Sequence, residues 1–290
     1  IVRRDIPSRA LDIRALQKHL VEIGNLPPSV LEEKDNFPLP LERVAAAVEA
    51  VGKDYSQLEV VLAQYEAAQP LLREAYARAG SKETRLIYAH ILGMMGDSTG
   101  VNSLMEAVSQ TAWDKGWRYT GMGQFGACMS PLDSQIIALG RTRSPAAVGV
   151  ICQKAEQLDA DAEFSHIRAV AMALESLGDR SAARPLANLL QKPGVSGHAV
   201  TDIEAALKDN PASGTDTTTR NRALSELYLA RALYRCGDYQ GLGEKILRQY
   251  ANDLHGHYAR HARAVLKQGP KPPREQPLSF HPMAPPAPAA

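Results

Sequence analysis

Hydrophobic residues recur at helical spacing over most of the chain beyond residue 40. Apolar side chains return every three to four positions, which places them on one face of an α-helix. Most of these stretches end at a glycine, a residue that tolerates the left-handed backbone found at helix C-termini. The pattern predicts an all-α protein. Its first predicted helices span 41–51, ending at Gly52, and 55–79, broken or kinked near Pro70 and ending at Gly80.

Four predicted units then share the order helix, glycine-centred turn, helix. Their helices are 83–95 with 100–109, 130–139 with 145–158, 163–177 with 181–191, and 219–236 with 239–252. The turn glycines are Gly96, Gly140, Gly178 and Gly237, and in three turns an aspartate follows that can cap the next helix. The first two intervals between these glycines are close to the ~40 to 47 residues of HEAT-type repeats. We therefore expect an α-solenoid of HEAT-like antiparallel helix pairs.

The two ends of the chain differ from this pattern. An amphipathic helix is predicted over 12–24, and prolines block regular structure from there to Pro40. A last helix is predicted over 254–268, and the Pro- and Ala-rich tail beyond it should be extended or disordered. This gives an N-terminal helix and linker (1–40), a helical repeat domain (41–268) and a tail (269–290). Because the chain opens at Ile1, we expect it to be a piece of a longer polypeptide.

Two insertions lengthen the repeats, one over 111–129 and one over 192–218. Inserted loops in repeat arrays often decorate a binding face. The first insertion holds both tryptophans of the chain and is rich in glycine. Its aromatic rings could form a docking or sugar-stacking platform, or they could anchor the loop by packing on the next repeat. The candidate binding residues are Trp113, Trp117, Arg118, Tyr119, Gln124 and Phe125.

Gly121, Gly123 and Gly126 of this insertion match the dinucleotide-binding pattern G-x-G-x-x-G. That fingerprint requires a preceding β-strand, whereas the residues before the insertion have helical period. We therefore interpret the glycines as shaping a loop.

The exit from the insertion has the composition of a helix start. Ser130 is a candidate N-cap, Pro131 takes the first helical position, and Asp133 supplies a carboxylate to the first turn. A helix N-terminus beside glycines could receive an anion. Since Asp133 already places negative charge there, we expect a capping role instead.

Charge and cysteine content exclude several classes of function. Thirty-three Lys and Arg residues nearly balance 32 Asp and Glu residues, so no overall field favours nucleic acid or an anionic membrane. No apolar run approaches the ~18 residues of a spanning helix. Three widely spaced cysteines, Cys128, Cys152 and Cys236, indicate buried thiols rather than disulfides or a zinc site.

The titratable residues do not form a catalytic motif in the sequence. His257 and His261 lie one helical turn apart and follow His255, a usable start for a metal site. No further ligand completes a known pattern, so solvent-facing polar side chains are the favoured interpretation. No nucleophile, base and orienting group can be assembled from spacing alone.

Three segments carry a family resemblance. They are Asp12-Ile13-Arg14-Ala15-Leu16-Gln17 with Gly24, then Gly116-Trp117 leading to Gly121-Met122-Gly123-Gln124-Phe125-Gly126, and Ser130-Pro131-Leu132-Asp133 running into Ile137-Ala138-Leu139-Gly140-Arg141-Thr142. In this order they resemble the C-terminal, HEAT-like part of bacterial FAD-dependent oxidoreductases. The resemblance implies a flavin-binding domain upstream of Ile1, and therefore no FAD site and no catalytic residue within these 290 residues.

The resulting expectation is a non-catalytic accessory module. Its partner would be the flavin-binding catalytic domain of the same parent protein or another protein, and a carbohydrate is a further candidate for the insertion. One alternative is a free-standing HEAT-type interaction scaffold. A second is a repeat-type lyase or chaperone for a bound prosthetic group. The compartment, cytoplasmic or exported with the parent protein, does not follow from these residues.

Overall fold

The computed structural model describes residues 19, 21–22, 39–114, 130–208 and 217–270. All regular structure in these ranges is helical, which confirms the all-α class. The α-helices are α1 Leu41–Asp54, α2 Leu58–Ala63, α3 Tyr65–Arg78, α4 Lys82–Met94, α5 Val101–Gln110, α6 Pro131–Arg141, α7 Ala147–Glu156, α8 Phe164–Leu177, α9 Ala183–Leu190, α10 Ile203–Lys208, α11 Thr218–Arg235, α12 Leu242–Tyr250 and α13 Gly256–Gln268. Short 3₁₀ turns, Arg180–Ala182 and Tyr239–Gly241, precede α9 and α12.

The helices pack mostly against neighbours in sequence. Helix α4 contacts α6, α6 contacts α8, and α8 contacts α11, which forms one row. Helices α5, α7 and α9 form a second row. In contact with the first row, α5 packs on α4 and α6, α7 packs on α6 and α8, and α9 packs on α11. The main hydrophobic core lies between the two rows, with fully buried side chains such as Leu104, Ile136, Ile151, Leu174 and Leu186. A smaller core joins α1, α2 and α3 to α4.

Three of the four predicted glycine turns are confirmed. Gly96, Gly178 and Gly237 have positive φ angles of 84°, 61° and 108°, respectively. Asp179 and Asp238 accept backbone N–H groups at the start of the next helical segment, as expected for a cap. Asp238, for example, accepts from the first turn of α12 at 2.6 and 3.1 Å. Asp97 instead accepts the Thr99 N–H within the turn, and Gly100 is the N-cap of α5. The hydrogen bonds of these turns join residues that are close in sequence, so the local sequence was sufficient to predict them.

The fourth turn, at Gly140, and the helix end predicted at Gly52 are wrong because both residues lie inside helices. A Cβ atom on Gly52 would lie 2.2 Å from the Tyr88 hydroxyl oxygen, and one on Gly140 would lie 2.3 Å from Ala173 Cα. Glycine is therefore used at these positions for close packing rather than for a turn. The turn after α6 instead uses Arg143, whose φ is 54°.

The expected break at Pro70 is also wrong. Helix α3 runs through Pro70, and the helical segment is divided at Gln64 instead, between α2 and α3. Proline removes one N–H···O bond from the second turn of α3. Burial of Ala68 and Leu72 on either side holds the helix in place despite this loss.

The second insertion is anchored by a buried carboxylate. Glu226 of α11 accepts the backbone N–H groups of Gly197 and His198, each at 2.8 Å, and the hydroxyl of Tyr250 at 2.8 Å. Its exposed fraction is 1%. Because two main-chain amides of this loop depend on one side chain, Glu226 fixes the path of residues 194–198. The insertion also contains α10, which the sequence did not predict.

Several predictions fall outside the described ranges. For the N-terminal helix, only His19, Val21 and Glu22 are described, and these are helical. The proline-rich linker up to residue 38 and the tail beyond residue 270 are not covered. Cys152 and Cys236 are buried free thiols, as expected, whereas Cys128 is not described. No helix in the described part of the chain is both long and apolar enough to cross a membrane.

Candidate contact site at the base of the first insertion

Of the six candidate binding residues, the structure describes Trp113 alone. Trp117, Arg118, Tyr119, Gln124 and Phe125 lie outside the described ranges, as do the three glycines of the G-x-G-x-x-G pattern. What the structure does show is the base of the insertion, where the chain leaves α5 and where it enters α6. Side chains from α6, α7 and α8 meet there.

A buried lysine holds the end of α5. Thr111 is the C-cap of α5, and the Lys154 ammonium of α7 donates to its carbonyl oxygen at 2.5 Å. Helix C-termini carry partial negative charge, which favours a cation at this position. The same ammonium lies 5.5 Å from the centre of the Trp113 ring. Lys154 is only 4% exposed, and this burial lowers its pKa.

Trp113 also stacks on His166 of α8. The two ring centroids are 4.5 Å apart, and the planes are inclined by 34°. The indole is half-buried and packs against the main core. Of the two roles considered for the aromatic rings, docking and packing, the Trp113 ring has the packing role at the start of the insertion. The docking alternative concerns residues that the structure does not describe.

The helix start at the other end of the insertion is built as predicted, with one exception. Ser130 is the N-cap of α6, and its hydroxyl oxygen accepts the Asp133 N–H at 3.0 Å. Asp133 was expected to act at the helix terminus, but its carboxylate is fully buried and binds His166 instead. The distance from His166 Nδ1 to Asp133 Oδ1 is 2.7 Å. No sequence signal links these two residues, because they belong to different helix pairs.

Both ring nitrogens of His166 face acceptors. Nδ1 faces the Asp133 carboxylate, and Nε2 lies 3.1 Å from the Asp114 carbonyl oxygen. Two acceptors are satisfied together only when both nitrogens carry protons. Burial acts to lower the pKa of His166, but the hydrogen bonds and charges of Asp133 and Asp114 outweigh it, and the pKa is raised. The pair therefore joins α6 to α8 and to the base of the insertion.

The base of the insertion retains polar atoms without partners among the described residues. Asp133 Oδ2, Asp114 Oδ1 and Trp113 Nε1 are all buried, and none makes a hydrogen bond there. Buried polar atoms are normally paired, since leaving one unpaired costs about 1–3 kcal/mol. Among the described residues, two acceptors and one donor are thus left without a partner at this site.

An open pocket of about 290 Å³ lies beside Trp113 and His166. Its rim is acidic, since four of the lining residues are carboxylates: Asp114, Asp159, Asp161 and Glu163. Asp159 and Asp161 are exposed and belong to the turn that leads from α7 to α8. None of the described residues that line the pocket is a lysine or an arginine. The pocket thus offers negative charge to a cationic group of a partner.

The three histidines considered as metal ligands have separate surroundings. His255 Nδ1 binds Asp253 at 2.8 Å, and the His257 ring packs on Tyr258 with centroids 4.0 Å apart. His261 lies beside Arg231 and Arg235; burial and then these two charges lower its pKa. Within the described ranges, no three His, Cys, Asp or Glu side chains are grouped to hold a metal ion.

One arrangement of chemical interest escaped the sequence analysis. His90 of α4 connects Tyr55, which follows α1, with Ser134 of α6 through two hydrogen bonds. A hydroxyl, an imidazole and a further hydroxyl are thus brought together from positions far apart in the chain. The sequence analysis, which could only use spacing, did not bring these three side chains together, because residues 55, 90 and 134 form no recognisable motif.

Comparisons with protein-family models, curated proteins and solved structures yielded no match to this chain.

Proposed function

We propose that this chain is a non-catalytic accessory module of an FAD-dependent oxidoreductase, a solenoid of HEAT-like helix pairs that contacts the flavin-binding catalytic domain. The sequence resemblance supplies the identity of that partner. Two rows of sequence-adjacent helices are compatible with a repeat array. A contact that recurs in successive helix pairs also supports a repeat array. Lys154 binds the end of α5, and Lys192 binds the carbonyl oxygens of Glu156 and Leu158 at the end of α7.

The observation that carries the contact role is the fixed base of the first insertion. Lys154, Trp113, Asp133 and His166 tie its two ends to three helices. Because both ends are fixed to the helices, binding at this surface does not have to order them, which lowers its entropy cost. The unpaired polar atoms beside it are further suited to recognising a polar surface.

The acidic rim of the neighbouring pocket indicates the chemistry of the partner surface. Asp159 and Asp161 are exposed and would face lysine or arginine side chains of the catalytic domain. Opposite charges across the rim of an interface raise the association rate and weaken binding at high salt. In this role the chain itself needs no flavin site.

The first test is the coding sequence upstream of the Ile1 codon. We expect a predicted β-strand followed by a glycine-rich dinucleotide fingerprint. The domain encoded there should then be purified with FAD and titrated with the 290-residue chain by calorimetry. Saturable binding that weakens with salt is expected. The absence of an encoded flavin domain, or the absence of binding to it, would refute the proposal and leave the free-standing scaffold.

A charge-reversal pair localises the contact. Asp161→Lys should weaken binding about tenfold or more, in line with the cost of placing like charges opposite each other. Glu74→Lys makes the same change of charge on exposed α3, away from the pocket, and should bind like the wild type. Equal affinities of the two variants would place the interface elsewhere. FAD alone should not bind the chain, and flavin absorbance retained after gel filtration would contradict this.

A further inference from the structure

The hydroxyl–imidazole–hydroxyl chain has the distances of a hydrogen-bonded relay. Tyr55 Oη lies 2.8 Å from His90 Nδ1, and His90 Nε2 lies 2.8 Å from Ser134 Oγ. The Tyr55 and His90 rings meet edge to face with centroids 5.7 Å apart. The three side chains belong to three separate elements, so the relay is a product of tertiary packing.

The backbone at Tyr55 is held in an uncommon conformation. Tyr55 is the C-cap of α1, with φ 62° and ψ 9°, where glycine or asparagine is usual. A tyrosine in the left-handed region costs of order 1 kcal/mol and persists when the surroundings fix it. This conformation directs the phenol to His90. Backbone strain of this kind clusters at functional sites.

The exposure of the three groups is compatible with a tautomer in which His90 Nδ1 donates to Tyr55 and Ser134 donates to His90 Nε2. Tyr55 is 38% exposed and can give its proton to water while accepting one from His90 Nδ1. Ser134 is more buried, and its one described side-chain hydrogen bond is to His90 Nε2. If Nδ1 carries the proton, Nε2 is the acceptor for the Ser134 hydroxyl. Burial lowers the pKa of His90, with an opposing effect from Ser134, so the ring is neutral at neutral pH.

We propose that Ser134 is a nucleophile that accepts acyl groups from activated esters, with His90 as its general base and Tyr55 as a positioning residue. This activity is independent of the accessory role, in which the chain contributes contacts and no catalysis to the flavin chemistry. In a nucleophile–base–orienter arrangement, hydrogen-bond reach between the hydroxyl and the base is the required geometry. Ser134 and His90 are each half-buried, so neither residue is sealed from solvent.

The step balances without a cofactor. Ser134 Oγ attacks the ester carbonyl carbon, and its proton passes to His90 Nε2. The new Oγ–C bond forms as the bond to the leaving oxygen breaks, and the leaving alkoxide or phenoxide takes the proton from Nε2. Water then attacks the acyl-serine, gives one proton to Nε2, and releases a carboxylic acid as that proton returns to Ser134 Oγ. The net reaction is ester plus water to acid plus alcohol.

The chain contains a matched serine that lacks an imidazole. Ser103 Oγ lies 2.9 Å from Tyr76 Oη, in a similar half-buried setting between helices. It has a hydroxyl partner but no base. The difference in reactivity between Ser134 and Ser103 therefore measures what His90 contributes.

The experiment is acetylation of the whole chain with p-nitrophenyl acetate at neutral pH, followed by peptide mapping with mass spectrometry. Ser134 should acquire acetyl at least about 100-fold faster than Ser103, the lower bound for general-base assistance. His90→Gln should reduce Ser134 labelling to the level of Ser103, and Ser103→Ala should change nothing. Equal labelling of the two serines in the wild type would overturn the proposal, and this comparison needs no variant to fold.

A second measurement isolates the role of Tyr55. In ¹⁵N-labelled protein, the His90 imidazole should show a protonated Nδ1 and an unprotonated Nε2. Tyr55→Phe keeps the ring and removes the hydroxyl, so it should shift this tautomer balance and slow labelling of Ser134 while the unfolding midpoint changes little. A spectrum with the proton on Nε2 in the wild type would refute the assignment of His90 as base.

Discussion

Replacing Gly140 with alanine should force helices α6 and α8 apart. The new Cβ atom would lie 2.3 Å from Ala173 Cα and 2.6 Å from the Ala173 carbonyl oxygen, both backbone atoms that no rotamer change can move. Ordinary contact needs about 3.5 Å, so the helices must separate by about 1 Å. Overpacking of this kind costs typically 1–3 kcal/mol. The gain in helix propensity is only about 1 kcal/mol, which leaves a net loss of up to about 2 kcal/mol.

Gly149→Ala is the matched control for this prediction. Gly149 lies in α7, is exposed, and has nothing within 4 Å of a built Cβ atom. The same substitution should therefore stabilise the protein by about 0.5–1 kcal/mol through helix propensity alone. The assay is urea unfolding followed by far-ultraviolet circular dichroism, with thermal midpoints as a check at about 2–4 °C per kcal/mol. If both variants raise the midpoint equally, the close crossing at Gly140 is refuted.

Three further predictions concern buried side chains. Glu226→Ala should lower the free energy of unfolding by about 3 kcal/mol, because two loop amides and the Tyr250 hydroxyl lose this acceptor. Urea unfolding measures this loss. Residues 192–202 should also be cleaved faster by proteases. His166→Gln should be destabilising below pH ~6.5, and the deficit should vanish as pH rises through the raised pKa of His166; a deficit independent of pH in urea titrations would contradict the ion pair with Asp133. Burial raises the pKa of Cys152 to about 11 and that of Cys236 to about 12, so iodoacetamide at mildly alkaline pH should modify them only after denaturation, as read by mass spectrometry.

Features of the contact site that depend on adjacent residues were predicted from the sequence, whereas features that depend on distant residues were not. The Ser130 cap of α6 follows from adjacent residues and was predicted. The burial of Asp133 and its pairing with His166 were not, because His166 lies on α8, 33 residues further along the chain. The relay through His90 escaped for the same reason, since its neighbours are 35 and 44 residues away.

The sequence by itself determined the helical class, the approximate bounds of most helices and the three turns at Gly96, Gly178 and Gly237. Each of these rests on hydrogen bonds and apolar spacing within a few residues, so neighbouring letters carry the information. Tertiary structure decided the roles of Gly52 and Gly140. The sequence alone does not distinguish a glycine that ends a helix from a glycine that allows two helices to pack closely. Tertiary structure also decided which buried polar groups meet, because those contacts form only when helices from different pairs are packed together and water is excluded.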